Sequence, residues 1–194
     1  MTKIFRALIL MTFVASCGSS NFSAPSGLDN ACTIVDQRPS YLRAFRATER
    51  KWGVPVPVLM AVMYQESRFV GNARPPHRYA LGVIPIGRQS SALGYSQALD
   101  ATWAEYQRDE GGTGARRTNI GDATDFMGWY MDETQTELGI ALNDTRNQYL
   151  AYHDGRAGYR RGTWRAKPWL IRISGELEGR AAMYDSQLRA CGRI

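Results

Sequence analysis

The 194-residue chain carries 24 Lys and Arg against 18 Asp and Glu, a formal charge of +6, and 44% of its residues are hydrophobic. That length supports one compact domain with its own core. The basic excess is too small and too dispersed for nucleic-acid binding, and suits an anionic wall polymer or a membrane surface instead.

Lys3 and Arg6 precede an apolar run, Ala7 to Ala15, that is too short to span a bilayer but has the length of a signal-peptide core. The run leads into Val14-Ala15-Ser16-Cys17, which resembles a bacterial lipobox, whose cysteine receives lipid and becomes the mature N-terminus. A plain secretory signal cleaved nearby is the alternative, and both readings export the chain. Gly18, rather than Asp, after the cysteine points a lipoprotein toward an outer membrane. The expected division is therefore a signal peptide over residues 1–16, a Ser-, Gly- and Pro-rich flexible tether over 17–31, and a folded domain over 32–194. With Cys17 lipidated, Cys32 and Cys191 remain, one near each end of the mature chain. In an oxidising compartment such a pair is expected to form a disulfide; two unpaired thiols is the other reading.

Helix signals dominate the rest. Ser40 can cap a helix carrying Leu42, Phe45 and Trp52, with Gly53 as its stop, and Pro57 suits the first turn of a second helix through Glu66 and Ser67. Asp100 can open a helix with Trp103 and Tyr106, Asp122 a longer one with Phe126 and Trp129, and Asp144 one that Gly155 ends. A long amphipathic segment follows, with Trp169, Leu170, Ile173, Leu177, Tyr184 and Leu188 about a turn apart. Strand-like alternation is scarce; Ala80 to Ile86, containing Pro85, is the best extended candidate. The pattern predicts one mainly α-helical domain.

Glu66 shares a helix face with Leu59, Val62 and Met63. A carboxyl on an apolar stripe is desolvated, which raises its pKa and keeps it protonated near neutral pH, ready to give a proton to a leaving oxygen. The plainer reading is a buried Glu satisfied by Arg or by backbone groups.

The surrounding residues favour the first. Gln65-Glu66-Ser67-Arg68-Phe69, Gly94-Tyr95-Ser96-Gln97 before Ala101-Thr102-Trp103, Asn119-Ile120, and Ala151-Tyr152-His153-Asp154-Gly155 stand in that order. Together they resemble the motifs of lytic transglycosylases with the soluble-transglycosylase, lysozyme-like fold, over about residues 40–164. The resemblance implies peptidoglycan glycan strands as substrate and cleavage between N-acetylmuramoyl and N-acetylglucosamine units to a 1,6-anhydro end. It implies Glu66 as the single catalytic acid, with Tyr152 orienting its carboxyl. Gln97 would contact an N-acetyl group, Gly94 would let the chain pass close to the cleft, and Ser67, Tyr95 and His153 would complete the substrate site. Ser67 is read as more structural than catalytic.

Three positions depart from the family pattern: Ser96 stands for Met, His153 for Asn, and Asp154 for a small residue. Asp154 adds a second carboxylate and with it the alternative of a hydrolase on the same fold. A catalytically silent, wall-binding lipoprotein is the other alternative. Residues 71–93 read as a surface loop or, alternatively, a substrate lid or partner contact. Trp103, Trp129, Trp164 and Trp169 read as core, while Tyr95 and Tyr159 are candidates to stack on a sugar ring. With no metal-ligand cluster or phosphate-cradling loop in the sequence, no metal or cofactor is expected, and the sequence names no protein partner.

Overall fold

In a computed structural model the described residues are 22–194. The signal-peptide reading and Cys17 lie outside them. Eight α-helices and one two-stranded hairpin make up the described fold, which is the mainly α-helical architecture expected.

The first helix, α1 (Ala31–Gln37), starts where Asn30 accepts a hydrogen bond from the Thr33 amide. The second, α2 (Pro39–Trp52), has proline in its first turn and ends at Gly53, whose φ of 74° is the left-handed stop its position predicts. Next comes α3 (Val56–Ser67), with Pro57 in its first turn. Every residue from Val56 to Met63 is buried, so α3 is apolar all round rather than along one stripe. It is the central helix, packed along the last helix and touching α2 and two others.

A hairpin of β1 (His77–Ala80) and β2 (Ile84–Arg88) follows, with an irregular antiparallel register. The extended piece expected over 80–86 is in fact the end of one strand, the turn, and the start of the next. After it come α4 (Asp100–Tyr106), continued by a turn of π-helix, and the long α5 (Ile120–Leu138). Asn119, not Asp122, caps α5: its side-chain oxygen accepts from the amides of Gly121 and Asp122. Asp144 caps α6 (Thr145–Asp154) by accepting from the Asn147 amide. The short α7 (Arg156–Arg161) and a 3-10 turn lead into α8 (Pro168–Ala190).

Helices α2 and α5 lie side by side at close range. Gly128 makes this possible, since a Cβ there would come within 2.4 Å of Trp52 and 2.6 Å of Thr48. Trp103, Tyr106, Phe126, Trp129 and Tyr130 form an aromatic cluster beside that seam, with ring centroids 5.1–6.3 Å apart. Cys32 and Cys191 are joined in a disulfide that ties α1 to the residue after α8, 159 positions away. Closing so long a loop contributes on the order of 5 kcal/mol in the chain-entropy model.

Residues 22–30, expected as part of the tether, lie on the body. The Gly71 amide donates to the Phe22 carbonyl at 2.9 Å, Ser26 and Gln37 exchange hydrogen bonds, and Arg180 pairs with Asp29 at 2.8 Å. Such partners are not readable from composition.

Candidate active site

Glu66 is the penultimate residue of α3, and the chain leaves that helix by an unusual route. Arg68 and Phe69 both take positive φ, 51° and 60°, without being glycine. Conformations of this kind cost of order 1–3 kcal/mol each and persist only where packing enforces them. Phe69 supplies that packing: it is fully buried and stacks on Tyr41 with centroids 6.1 Å apart.

The turn leaves Glu66 beside an open cleft of about 290 Å³, lined also by Pro75, Ser90, Ala92, Gln97, Leu99, Tyr152 and His153. An adjoining hollow of about 220 Å³ shares Gln97, Leu99, Tyr152 and His153, and runs on to Thr102, Tyr130 and Asp154. Glu66 keeps part of its surface in the cleft while protein surrounds its carboxyl. Burial raises its pKa from 4.5 to about 7, and a hydrogen bond from the Tyr149 hydroxyl opposes the rise only in part. The phenol is itself raised by burial and then by the charge of Glu66, so it stays a neutral donor.

Tyr149 is a residue that sequence reading missed. It lies on α6 one turn before Tyr152, and only the docking of α6 on α3 decides which of the two tyrosines reaches the acid. Tyr152 stands in the same cleft, but its hydroxyl donates to the Ser96 carbonyl at 2.7 Å. It thereby ties the Gly94–Gln97 turn to α6 beside Glu66.

In that turn, Gly94 has φ 80°, and a Cβ on it would sit 2.1 Å from the Arg117 carbonyl oxygen. The close approach it allows is to the Arg117 backbone, within the protein. Gln97, at φ 50°, donates its amide to the carbonyls of Ala73 and Gly94 at 3.0 and 2.8 Å and lines the cleft, with its amide oxygen free of these bonds. Ser96 is fully buried, so its replacement of Met alters the packing beneath the cleft rather than an exposed wall.

Two expected site residues lie elsewhere. Tyr95 is 4% exposed, shares a hydrogen bond with Tyr41 at 3.1 Å, and packs edge-on to that ring in the core. Ser67 is buried and donates to the Met63 carbonyl one turn back, a helix-internal role. Tyr159 is stacked on Trp164 and donates to Asn147, so its ring is already engaged.

His153 lines the cleft, 5.1 Å edge-on from Trp169. Trp169, read from its spacing as core, is 47% exposed and stands as an aromatic rim behind His153. Asp154 is the second carboxyl near the cleft. Its burial works to raise its pKa, but hydrogen bonds from Lys167, Thr163 and His153 outweigh burial and hold it below the usual carboxylate range. It is a paired anion.

The chain matches the transglycosylase SLT domain over residues 5–191, nearly its whole length. It belongs to that family. No curated protein matches it. For a lytic transglycosylase SLT domain, a helical body with one uncharged-leaning acid in an open cleft is a coherent arrangement; the first, second and last of the sequence motifs contribute residues to that cleft, while Asn119-Ile120 lies in a separate hollow and caps α5.

Proposed function

We propose that this SLT domain cleaves peptidoglycan strands between N-acetylmuramoyl and N-acetylglucosamine units, with Glu66 as its single acid and base. The observation that carries the reading is the contrast of charge in the cleft: Glu66 has its pKa raised to about 7, and Asp154 is held low by Lys167. Protonated Glu66 gives its proton to the glycosidic oxygen as the bond to the muramoyl C1 breaks. The resulting carboxylate then takes the proton of that residue's own 6-hydroxyl, whose oxygen closes on C1. The 1,6-anhydro end forms, Glu66 regains its proton, and no water is consumed. One carboxyl suffices, unlike the pair that most glycosidases need.

Tyr149 orients the carboxyl, Gln97 offers its amide oxygen to an N-acetyl group, and Tyr152 holds the turn that carries Gln97. His153 and Trp169 form one wall for the glycan. A muramidase would need a second carboxylate free to activate water, and Asp154 is committed to Lys167 and Thr163. We further propose export, lipidation at Cys17 and an outer-membrane, periplasm-facing location, on the lipobox residues alone.

Digestion of purified peptidoglycan with product masses tests the reaction. Muropeptides lighter by one water than hydrolysis products are expected; products carrying the added water would reject transglycosylation in favour of a hydrolase.

A further inference from the structure

We propose that the β1–β2 hairpin docks on a membrane, seating its tip in the surface of an anionic phospholipid bilayer. Eight large apolar side chains are exposed among the described residues, and five of them, Tyr79, Leu81, Val83, Ile84 and Ile86, stand on this hairpin. Leu81 is 90% and Val83 75% exposed. A contiguous apolar surface of this kind marks an interaction site, and a two-stranded hairpin standing alone is marginal in water.

The turn adds a second observation. Leu81 and Gly82 have φ of 50° and 75°. Gly, Asn or Asp normally fills such positions in a water-facing turn, and a bulky apolar residue there is strained. Leu81 gains no packing within the protein in return, so its side chain is suited to something outside it.

Charge identifies the occupant. Between Ser67 and Leu99 the chain has Arg68, Arg74, Arg78 and Arg88 and no Asp or Glu. Arg88 sits at the foot of the hairpin opposite His77, donating to the Pro75 carbonyl at 2.6 Å. Arg68 stacks on Tyr64 away from the hairpin, but an apolar tip with Arg74, Arg78 and Arg88 at its base and on its first strand matches acyl chains beneath anionic headgroups. Branched aliphatic side chains offer little to a glycan, and Pro85 removes a backbone donor from β2, which disfavours the addition of a partner strand. No helix among the described residues is long and apolar enough to cross a membrane, so the contact is a peripheral one.

The path of the chain agrees. Phe22 bonds to Gly71, three positions before Arg74, and so lies near the hairpin's foot. Only four residues separate Cys17 from Phe22, a reach of at most about 18 Å over five Cα steps. A lipid on Cys17 would hold the hairpin's foot against the same bilayer; this step alone rests on the lipidation reading. Because Pro75 and Ser90 flank the hairpin and line the Glu66 cleft, docking would also fix the cleft's orientation to the membrane.

The test uses residues 22–194, which hold the whole core and the disulfide, sedimented with phosphatidylglycerol–phosphatidylethanolamine vesicles and, separately, with purified sacculi. The parent should bind the vesicles, and Leu81→Asp combined with Val83→Asp should lower its partition by about tenfold or more, with thermal unfolding unchanged. No vesicle binding by the parent, or equal binding by the variant, overturns the proposal. A loss confined to sacculi overturns it too, and assigns the tip to glycan. In the full chain, a polarity-sensitive fluorophore on Leu81→Cys should emit from an apolar environment in cell membranes; water-like emission contradicts docking. Neither readout depends on glycan cleavage.

Discussion

Glu66 and Asp154 stand at the C-terminal ends of α3 and α6, beside the same cleft, and their surroundings differ in one respect. The α3 end offers Glu66 apolar packing and one neutral phenol, so burial dominates and the proton is retained to about pH 7. The α6 end offers Asp154 a lysine and a hydroxyl, so burial is outweighed and the charge is kept. Both carboxyls are largely taken from water. The cation decides which one becomes an acid and which an ion-pair partner.

The largest effect should come from removing the first of the pair. Glu66→Gln keeps the shape but has no proton to transfer, and should lower release of soluble wall fragments by about a thousandfold. Its stability should move the other way. Glu66's folded pKa lies above its unfolded value, so wild type carries no penalty below about pH 4.5 and loses stability as pH rises through about 7. Glu66→Gln should therefore gain most at alkaline pH, up to about 3 kcal/mol in denaturant titrations at pH 8. An unchanged difference between pH 5 and 8 would break the comparison on the α3 side.

Breaking the second pair should cost stability more than activity. Lys167→Met leaves Asp154 buried without its cation, and should destabilise the fold by about 2 kcal/mol in urea unfolding at pH 7. Asp154→Asn should keep cleavage within about tenfold of the parent and still give anhydro products. If it abolishes cleavage, Asp154 is a catalytic group and the contrast fails.

Several helix ends were legible, although Ser40 lies inside α2, whose cap position is Arg38. Pro57, Gly53 and Asp144 act through their own backbone positions and a neighbour or two, so their roles survive any packing. Glu66 was legible for the same reason, by its place at the end of an apolar helix and by the motif around it. Tyr149 was not, because two tyrosines one turn apart are equivalent until α6 docks on α3. Tyr95 misled because only Gln97 of the Gly94–Gln97 turn lines the cleft, while the Tyr95 ring drops toward Tyr41. The hairpin was hidden for a different reason: its apolar residues lie on both sides of a turn and cover no core, so no burial pattern marks them.

The smallest effect sharpens the Glu66 environment. Tyr149→Phe removes the one hydrogen bond that favours the ionised carboxyl, so the Glu66 pKa should rise further. The fall in kcat at high pH should move upward, by about half a pH unit, with KM little changed. A purely structural role for Tyr149 would lower activity without moving the profile.

The central claim is that Glu66 holds its proton into the neutral range, and carboxyl carbon NMR of Glu-labelled protein measures this directly, with Glu66→Gln to assign the resonance. A titration midpoint near pH 7 is expected for that one carboxyl. A midpoint near the ordinary 4.5 would contradict it, because the cleft would then contain no acid able to protonate a leaving oxygen.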